Sequence, residues 1–508
     1  MQESEAALGK FKDQLTNLAN LTGVLTYAYK STYILNANIR IDASNAFGER
    51  SNHRLLPIWS VSGRWNMNEN ILQNCNWINT LGLRASFGYR GNMSNVGTPK
   101  LQLIKKGRDD FFKEYYSKVK VFPNPFLKWE KTSTLDIGLE FSLFNNKLNG
   151  SFSYYYSHTS DAFMDKTVSR INGVSVYQVN RGTLVNQGYD IALNFVPINT
   201  MLNLSIDGKK RGFMWRIDPN FGAVLNQLIN KLKYKNRTLQ DEITYQNYLD
   251  GNVYISGKPV NTFYSYRFKG LSPVDGRPMF YDTEETTLVD GEEVDRKEIL
   301  EQMSQEEAYM TVMEHSGCRE PFLQGGISNY FGWRSWGLSF NLAYSIGAKV
   351  RLFKMYPNVS SGETIAPGPE KNLRREFVNR WRRPGDEMHT NIPGILDNSE
   401  FYKTLAPWWR KMDKNRFASN IWEMYDQSNL RVVSGNYLKL QSISLRYVIP
   451  EDFCKKLSLK SAYLSFSGTN LFTICSRKLK GQDPTQSGSS DLVLSVRPTY
   501  SFQLNVSF

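Results

Sequence analysis

Cysteine and histidine are almost missing: the 508 residues hold 4 of each. Cys75, Cys318, Cys454 and Cys475 stand far apart without a CxxC, and His53, His158, His315 and His389 form no HExxH. That spacing points to no metal site and to isolated, incidental cysteines. Long apolar runs are absent too. No stretch approaches the roughly 18 apolar residues that a membrane helix requires, which excludes a helical transporter. Paired carboxylates beside a nucleophile, a Gly-rich phosphate loop and triad spacing are all lacking, so the chain is not read as an enzyme and no cofactor is expected. The formal charge is +14, but the 62 basic residues are spread along the chain and mark no recognisable binding module. Nucleic acid is therefore not an expected partner. A diffuse surplus suits loops and walls that face anionic surfaces or solutes.

What is present is aromatic and alternating. The chain has 29 Phe, 28 Tyr and 11 Trp, 13% of its residues, as expected for girdles at two membrane interfaces. Tyr500, Phe502, Leu504, Val506 and Phe508 alternate with Ser501, Gln503, Asn505 and Ser507. The same period of two runs through Tyr33–Ile41, Leu81–Tyr89, Leu135–Leu143 and Trp336–Tyr344. Such spacing gives strands with one apolar face. Each run is about ten residues, enough to cross a bilayer as a tilted strand, whereas strands of soluble proteins usually span about 5–6. Leu438 and Leu440 fall out of phase with Ile443, Leu445 and Tyr447, which predicts a bulge near Gln441.

Connections alternate short and long, as in outer-membrane barrels with tight periplasmic turns. Lys30-Ser31, Asn145-Asn146-Lys147 and Gly332-Trp333-Arg334 are the tight turns. Segments 91–131, 159–186, 270–321, 346–436 and 471–496 hold most of the Pro, Gly and charge, and are read as external loops. With the last strand running inward, parity requires two strands, 261–269 and 278–282, between 212–227 and 322–331. The reading is an all-β, antiparallel transmembrane β-barrel portion of about 14–15 strands, filling residues 1–508. Met1–Glu5 shows neither a basic n-region nor an apolar core, so the chain is expected to begin internally, beyond a signal, a plug and the early strands.

Several stretches, taken together and in order, carry a family resemblance. They include Arg40-Ile41-Asp42-Ala43-Ser44, Leu83–Gly88 with Gly91-Asn92, Asn124-Pro125 with Leu127–Thr132, and Asn186–Asp190. Further on come Pro259–Gly270, Arg380–Glu387, Asn436–Leu440 and Ser467–Phe472. The chain resembles the C-terminal half of the SusC/RagA family of TonB-dependent outer-membrane transporters from Bacteroidetes. The resemblance implies a 22-stranded barrel around an N-terminal plug. It also implies import of oligosaccharides or peptides with energy from the TonB complex, and a SusD-like surface lipoprotein capping the barrel. The alternatives are a passive surface barrel or adhesin, and a non-functional truncated product.

Candidate functional residues follow. Terminal Phe508 is expected to be the signal read by the barrel-assembly machinery, the ordinary alternative being a final strand that merely ends in Phe. Arg374, Arg375, Arg380 and Trp381 either contact a partner or an anionic ligand through guanidinium pairing, or form a solvated loop held to Asp386 and Glu387. Tyr402, Trp408, Trp409, Trp422 and Tyr425 either stack on sugar or peptide or supply the packing core that a loop of this length needs. Asn36, Arg40, Arg84, Glu140 and Asn341 are expected to face the lumen, toward plug or solute, while the alternating apolar residues face the lipid bilayer.

Overall fold

The computed structural model describes residues 18–44, 55–72, 75–92, 101–109, 111–122, 126, 128–167, 176–200, 212–230, 257–259, 261–281, 286–289, 292–295, 299–300, 302–303, 311–356, 374–395, 421–485 and 495–508. Thirteen of its strands form one antiparallel sheet. These are β1 (Leu18–Tyr29), β2 (Tyr33–Ser44), β3 (Leu55–Asn66), β4 (Ile78–Asn92), β7 (Glu130–Leu143), β8 (Leu148–Thr167) and β9 (Val176–Asn199). The sheet continues with β10 (Phe213–Asn230), β17 (Leu323–Trp333), β18 (Trp336–Ile346), β21 (Tyr437–Val448), β22 (Ser461–Cys475) and β23 (Thr499–Ser507). Each pairs with its neighbours in chain order, and among the described residues β1 and β23 pair on one side only.

The other strands are small hairpins within the long connections. β5 (Gln102–Arg108) pairs with β6 (Tyr115–Val121), and β11 (Thr262–Tyr266) with β16 (Met313–Cys318). β12 (Phe268–Leu271) pairs with β13 (Pro278–Phe280), β14 (Thr286–Val289) with β15 (Glu292–Asp295), and β19 (Lys349–Arg351) with β20 (Val432–Ser434). Short helices bounded within the described residues are α1 (Ile421–Asp426) and α2 (Glu451–Lys456).

Alternation decides which residues build the wall. Leu135, Ile137 and Leu139 lie opposite Tyr156, Tyr154 and Phe152, one apolar face running across both strands. On that face Leu25, Leu35, Ile137, Phe152, Phe466 and Phe502 remain well exposed. Such exposure is expected where hydrocarbon rather than protein covers the sheet. Aromatic rings cluster at both ends of the apolar face: Trp336 against Tyr447 at the tight-turn end, and Trp59 against Tyr89 at the loop end. On β18, Trp336 and Tyr344 are separated by eight residues, about 27 Å along a strand. At the usual tilt that is about 20 Å of height, close to the apolar band of a membrane barrel.

The tight turns are as expected. Lys30 and Ser31 both take φ near +50°, and Phe144, Asn145 and Asn146 are left-handed as well. Positive φ at the centre of a short hairpin matches the twist of the strands it joins. The bulge is at Gln441, which is skipped where Asn341–Ser442 passes to Leu342–Leu440.

Two expectations need correction. The segments 261–269 and 278–282 are not wall strands; β10 pairs directly with β17 from Phe213–Trp333 to Ala223–Leu323. Thr262–Tyr266 is buried at all five positions, so it has no lipid-facing side and packs inside a loop assembly. Among the described residues thirteen wall strands result where 14–15 were expected, and because a pair was removed the expected inward direction of β23 is unchanged. The segment 159–186 is also not all loop, since β8 runs on to Thr167 and β9 begins at Val176.

Candidate functional site

The polar face of the wall is built by the residues that alternate with the lipid-facing set. Every sequence-predicted lumen residue described with a partner finds it on this face. Arg40 pairs with Asp42 at 2.6 Å, Arg84 with Asp136 at 3.5 Å, and Glu140 with Arg64 at 2.9 Å. Asn341 donates to the Ser442 hydroxyl at 2.8 Å. Arg216 extends the ladder to Asp218 at 3.0 Å, and the Asn194 amide also donates to Asp218. These side chains are partly exposed, so each pair contributes little to stability, on the order of 0–1 kcal/mol. Their effect is to keep charged groups of both signs along one wetted face. Near the tight-turn end this face holds a concavity of about 690 Å³ lined by Arg64, Asn66, Glu69, Glu140, Asn149 and Asn194.

The second part of the site lies at the opposite end, where two long connections fold together. The β10–β17 connection supplies Tyr264, Tyr266, Phe280, Leu300, Val312 and Met313 to a shared core. Met355, Tyr356, Phe377, Ile421, Trp422, Met424 and Tyr425 come from the β18–β21 connection. Backbone and side-chain bonds cross between them. The Tyr266 N–H donates to the Gln427 carbonyl at 3.3 Å, the Phe268 N–H to Asn429 Oδ1 at 3.1 Å, and Arg351 to the Tyr264 carbonyl at 2.9 Å.

A buried charge cluster stitches the β18–β21 connection to itself. Arg431 reaches Glu376 at 2.9 Å with both side chains nearly inaccessible, and Arg374 pairs with Glu376 at 2.7 Å. The Phe353 carbonyl accepts from Arg431 at 2.6 Å. Asp426 accepts the Met355 and Tyr356 N–H groups, each at 2.8 Å, and lies 3.9 Å from Arg431. Burial drives the Asp426 carboxyl upward, opposed by Arg431 and the two amides. Burial also pushes Glu376 upward, but Arg431 and Arg374 outweigh it and hold the carboxyl below its usual range. Burial raises the Tyr356 and Tyr425 phenols.

The predicted site residues are distributed unevenly. Trp422 and Tyr425 are each about 1% exposed and lie inside the loop core, with Tyr356 5.4 Å from Trp422 ring to ring; they present no surface to a ligand in this conformation. Tyr402, Trp408 and Trp409 lie outside the described residues. Arg374 is committed to Glu376, Arg380 donates to the Phe377 carbonyl at 3.1 Å, and Arg375 is exposed. Trp381 is buried against Gly276, where φ is +68° and a Cβ would stand 2.3 Å from the indole ring. Its N–H donates to Glu387 at 3.0 Å, while Asp386 accepts the Arg382 N–H at 3.0 Å. Phe508 is 79% exposed at the end of the last strand. Sequence reasoning missed Asp426, Arg431 and the Tyr264–Tyr266 contribution. The only available signal was Thr262–Tyr266 itself, a strand-forming run without alternation.

A sheet with an apolar belt, aromatic rims, a charged inner face and folded outer loops defines the wall of an outer-membrane barrel receptor. The chain belongs to the family described as TonB dependent receptor-like, beta-barrel, whose sequence profile matches residues 10–287. It is 25% identical over 488 residues to TonB-dependent receptor P3 of Formosa agariphila, covering 94% of this chain and 43% of that protein. It is 27% identical over 291 residues to TonB-dependent receptor SusC of Bacteroides thetaiotaomicron, covering 54% of this chain and 27% of that protein. The chain thus spans less than half the length of these relatives. The fold is shared with the RagAB peptide importer in its open-open state, with a TM-score of 0.70 at 20% identity, over 99% of this chain and 49% of that one. The protein resides in the outer membrane, as members of this family do.

Proposed function

We propose that this chain forms wall and outer loops of a SusC-like importer that carries oligosaccharides or peptides across the outer membrane. The observation that carries the reading is the two-sided wall: lipid-facing residues on one side, and on the other the paired charges from Arg40 to Asp218, topped by an ordered loop unit. A lumen with bound charges of both signs wets a hydrophilic solute without trapping it by one sign of charge. No bond chemistry is involved. Unpaired strand edges are not tolerated in hydrocarbon, so the free edges of β1 and β23 are taken up by further wall strands, and a plug fills the lumen. Energy comes from the TonB complex, and a SusD-like surface lipoprotein closes the outer mouth against the loop unit.

The test is uptake of defined glycans and peptides by a strain lacking the locus, complemented with its full coding region. Import that disappears when TonB is depleted is expected. Uptake that is indifferent to TonB supports a passive barrel, and surface binding without uptake supports an adhesin.

A further inference from the structure

The connection between β21 and β22 lies on the tight-turn side, yet it spends 12 residues where other turns on that side use as few as two. It folds as α2. The Phe453 and Cys454 N–H groups donate to the Pro450 carbonyl at 3.0 and 3.1 Å, and the Leu459 N–H closes on Cys454 at 2.9 Å. The Ile449 N–H donates to Ala462 at 2.9 Å and the Lys460 N–H to Ser507 at 2.8 Å, so the connection is fastened to both final strands.

Ala462 locates the helix. It is in register with Val506, and Leu464 and Phe466 of the same outward set face Leu504 and Phe502. Those neighbours are open, with Phe466 at 46%, Leu504 at 57% and Phe502 at 70% exposed, whereas Ala462 is at 3%. Cys454 of the helix is at 1%, and α2 is the helix that packs on β22. The helix therefore lies over the outward face of the wall, at its periplasmic rim. Phe453 and Leu457, one helical turn apart, are 55% and 56% exposed. They continue the rim aromatics Trp333, Trp336 and Phe508. Lys455, Lys456 and Lys460 are exposed beside them.

We propose that α2 is an interfacial foot, seating Phe453 and Leu457 in the phospholipid of the periplasmic leaflet and setting its lysines against lipid phosphates. Apolar side chains of such a helix rest at the boundary between headgroups and acyl chains, and nearby lysines gain from an anionic surface within a Debye length. The continuity of Phe453 and Leu457 with the lipid-facing rim favours lipid over a protein partner.

The test labels Phe453→Cys or Leu457→Cys with a polarity-sensitive fluorophore, in the full chain carrying Cys75→Ser, Cys318→Ser and Cys475→Ser. The protein is reconstituted in phosphatidylethanolamine–phosphatidylglycerol vesicles, with Lys480→Cys on the opposite rim as the aqueous control. Expected are a blue-shifted emission and stronger quenching by a nitroxide high on the acyl chain than by a water-soluble nickel chelate. Adding Lys455→Glu and Lys456→Glu should lower the ratio of lipid to aqueous quenching severalfold, and only when phosphatidylglycerol is present. Nickel quenching equal to that of the control would overturn the proposal. So would shielding from both quenchers, which would place the helix under protein.

Discussion

Trp422 offers the sharpest test of how the outer loops are held. Its ring is about 1% exposed, and its indole N–H finds no acceptor among the described residues. Replacement of a buried Trp by Ala typically costs about 3–5 kcal/mol through lost contacts and the cavity left behind. Removing an unsatisfied buried donor returns about 1–3 kcal/mol of that. Trp422→Ala should therefore destabilise the loop unit by about 2 kcal/mol, the middle of the range these two effects leave, a rise of about thirtyfold in its open population. Trp422→Phe keeps most of the packing and removes the orphan N–H, so it should be nearly neutral. Hydrogen exchange at the Tyr266 and Phe268 amides reports the opening directly, since exchange follows the open population when reclosing is fast. Exchange in β17 and β18 should not change. Unaltered loop exchange in Trp422→Ala, combined with weakened cargo binding, would refute the packing role and return Trp422 to the ligand surface.

Two further outcomes are expected. Glu376 is held below the usual carboxylate range, so its contribution to the loop unit is full above the unfolded value of about 4.5 and is lost as pH falls through the folded value. Acid should thus open the wild-type loops in hydrogen exchange, and Glu376→Gln should remove that part of the acid dependence while weakening the loops at neutral pH; an unchanged acid profile in Glu376→Gln would contradict the assignment. On the reading of Phe508 as the signal for the assembly machinery, deleting it should lower the yield of membrane-inserted, heat-modifiable barrel; unchanged insertion would make Phe508 an ordinary terminal residue.

The wall was legible because a lipid-facing strand leaves a period-two record in every residue. The Gln441 bulge was legible for the same reason, as a slip in that period between Leu440 and Ser442. The loop unit left no such record. Thr262–Tyr266 is buried on both faces, and a short strand-forming run of that kind has no periodicity that separates it from a crossing strand. Arg431 and Glu376 are separated by 55 residues, and nothing local in either segment names the other. Burial, the property that places Trp422 and Tyr425 in a core, depends on which distant segments meet, and the alternation rule does not reach that far.

The direct pairing of β10 with β17 has a consequence for how such receptors diversify. The described residues between those strands are added without shifting a single register of the wall, and Thr262–Tyr266 has no lipid-facing side. A new outer unit can therefore be exchanged onto an unchanged base. The exchange has one condition, because the core of that unit is shared between two connections. Tyr264 and Tyr266 must therefore change together with Trp422 and Tyr425, since either set grafted alone would face a stranger.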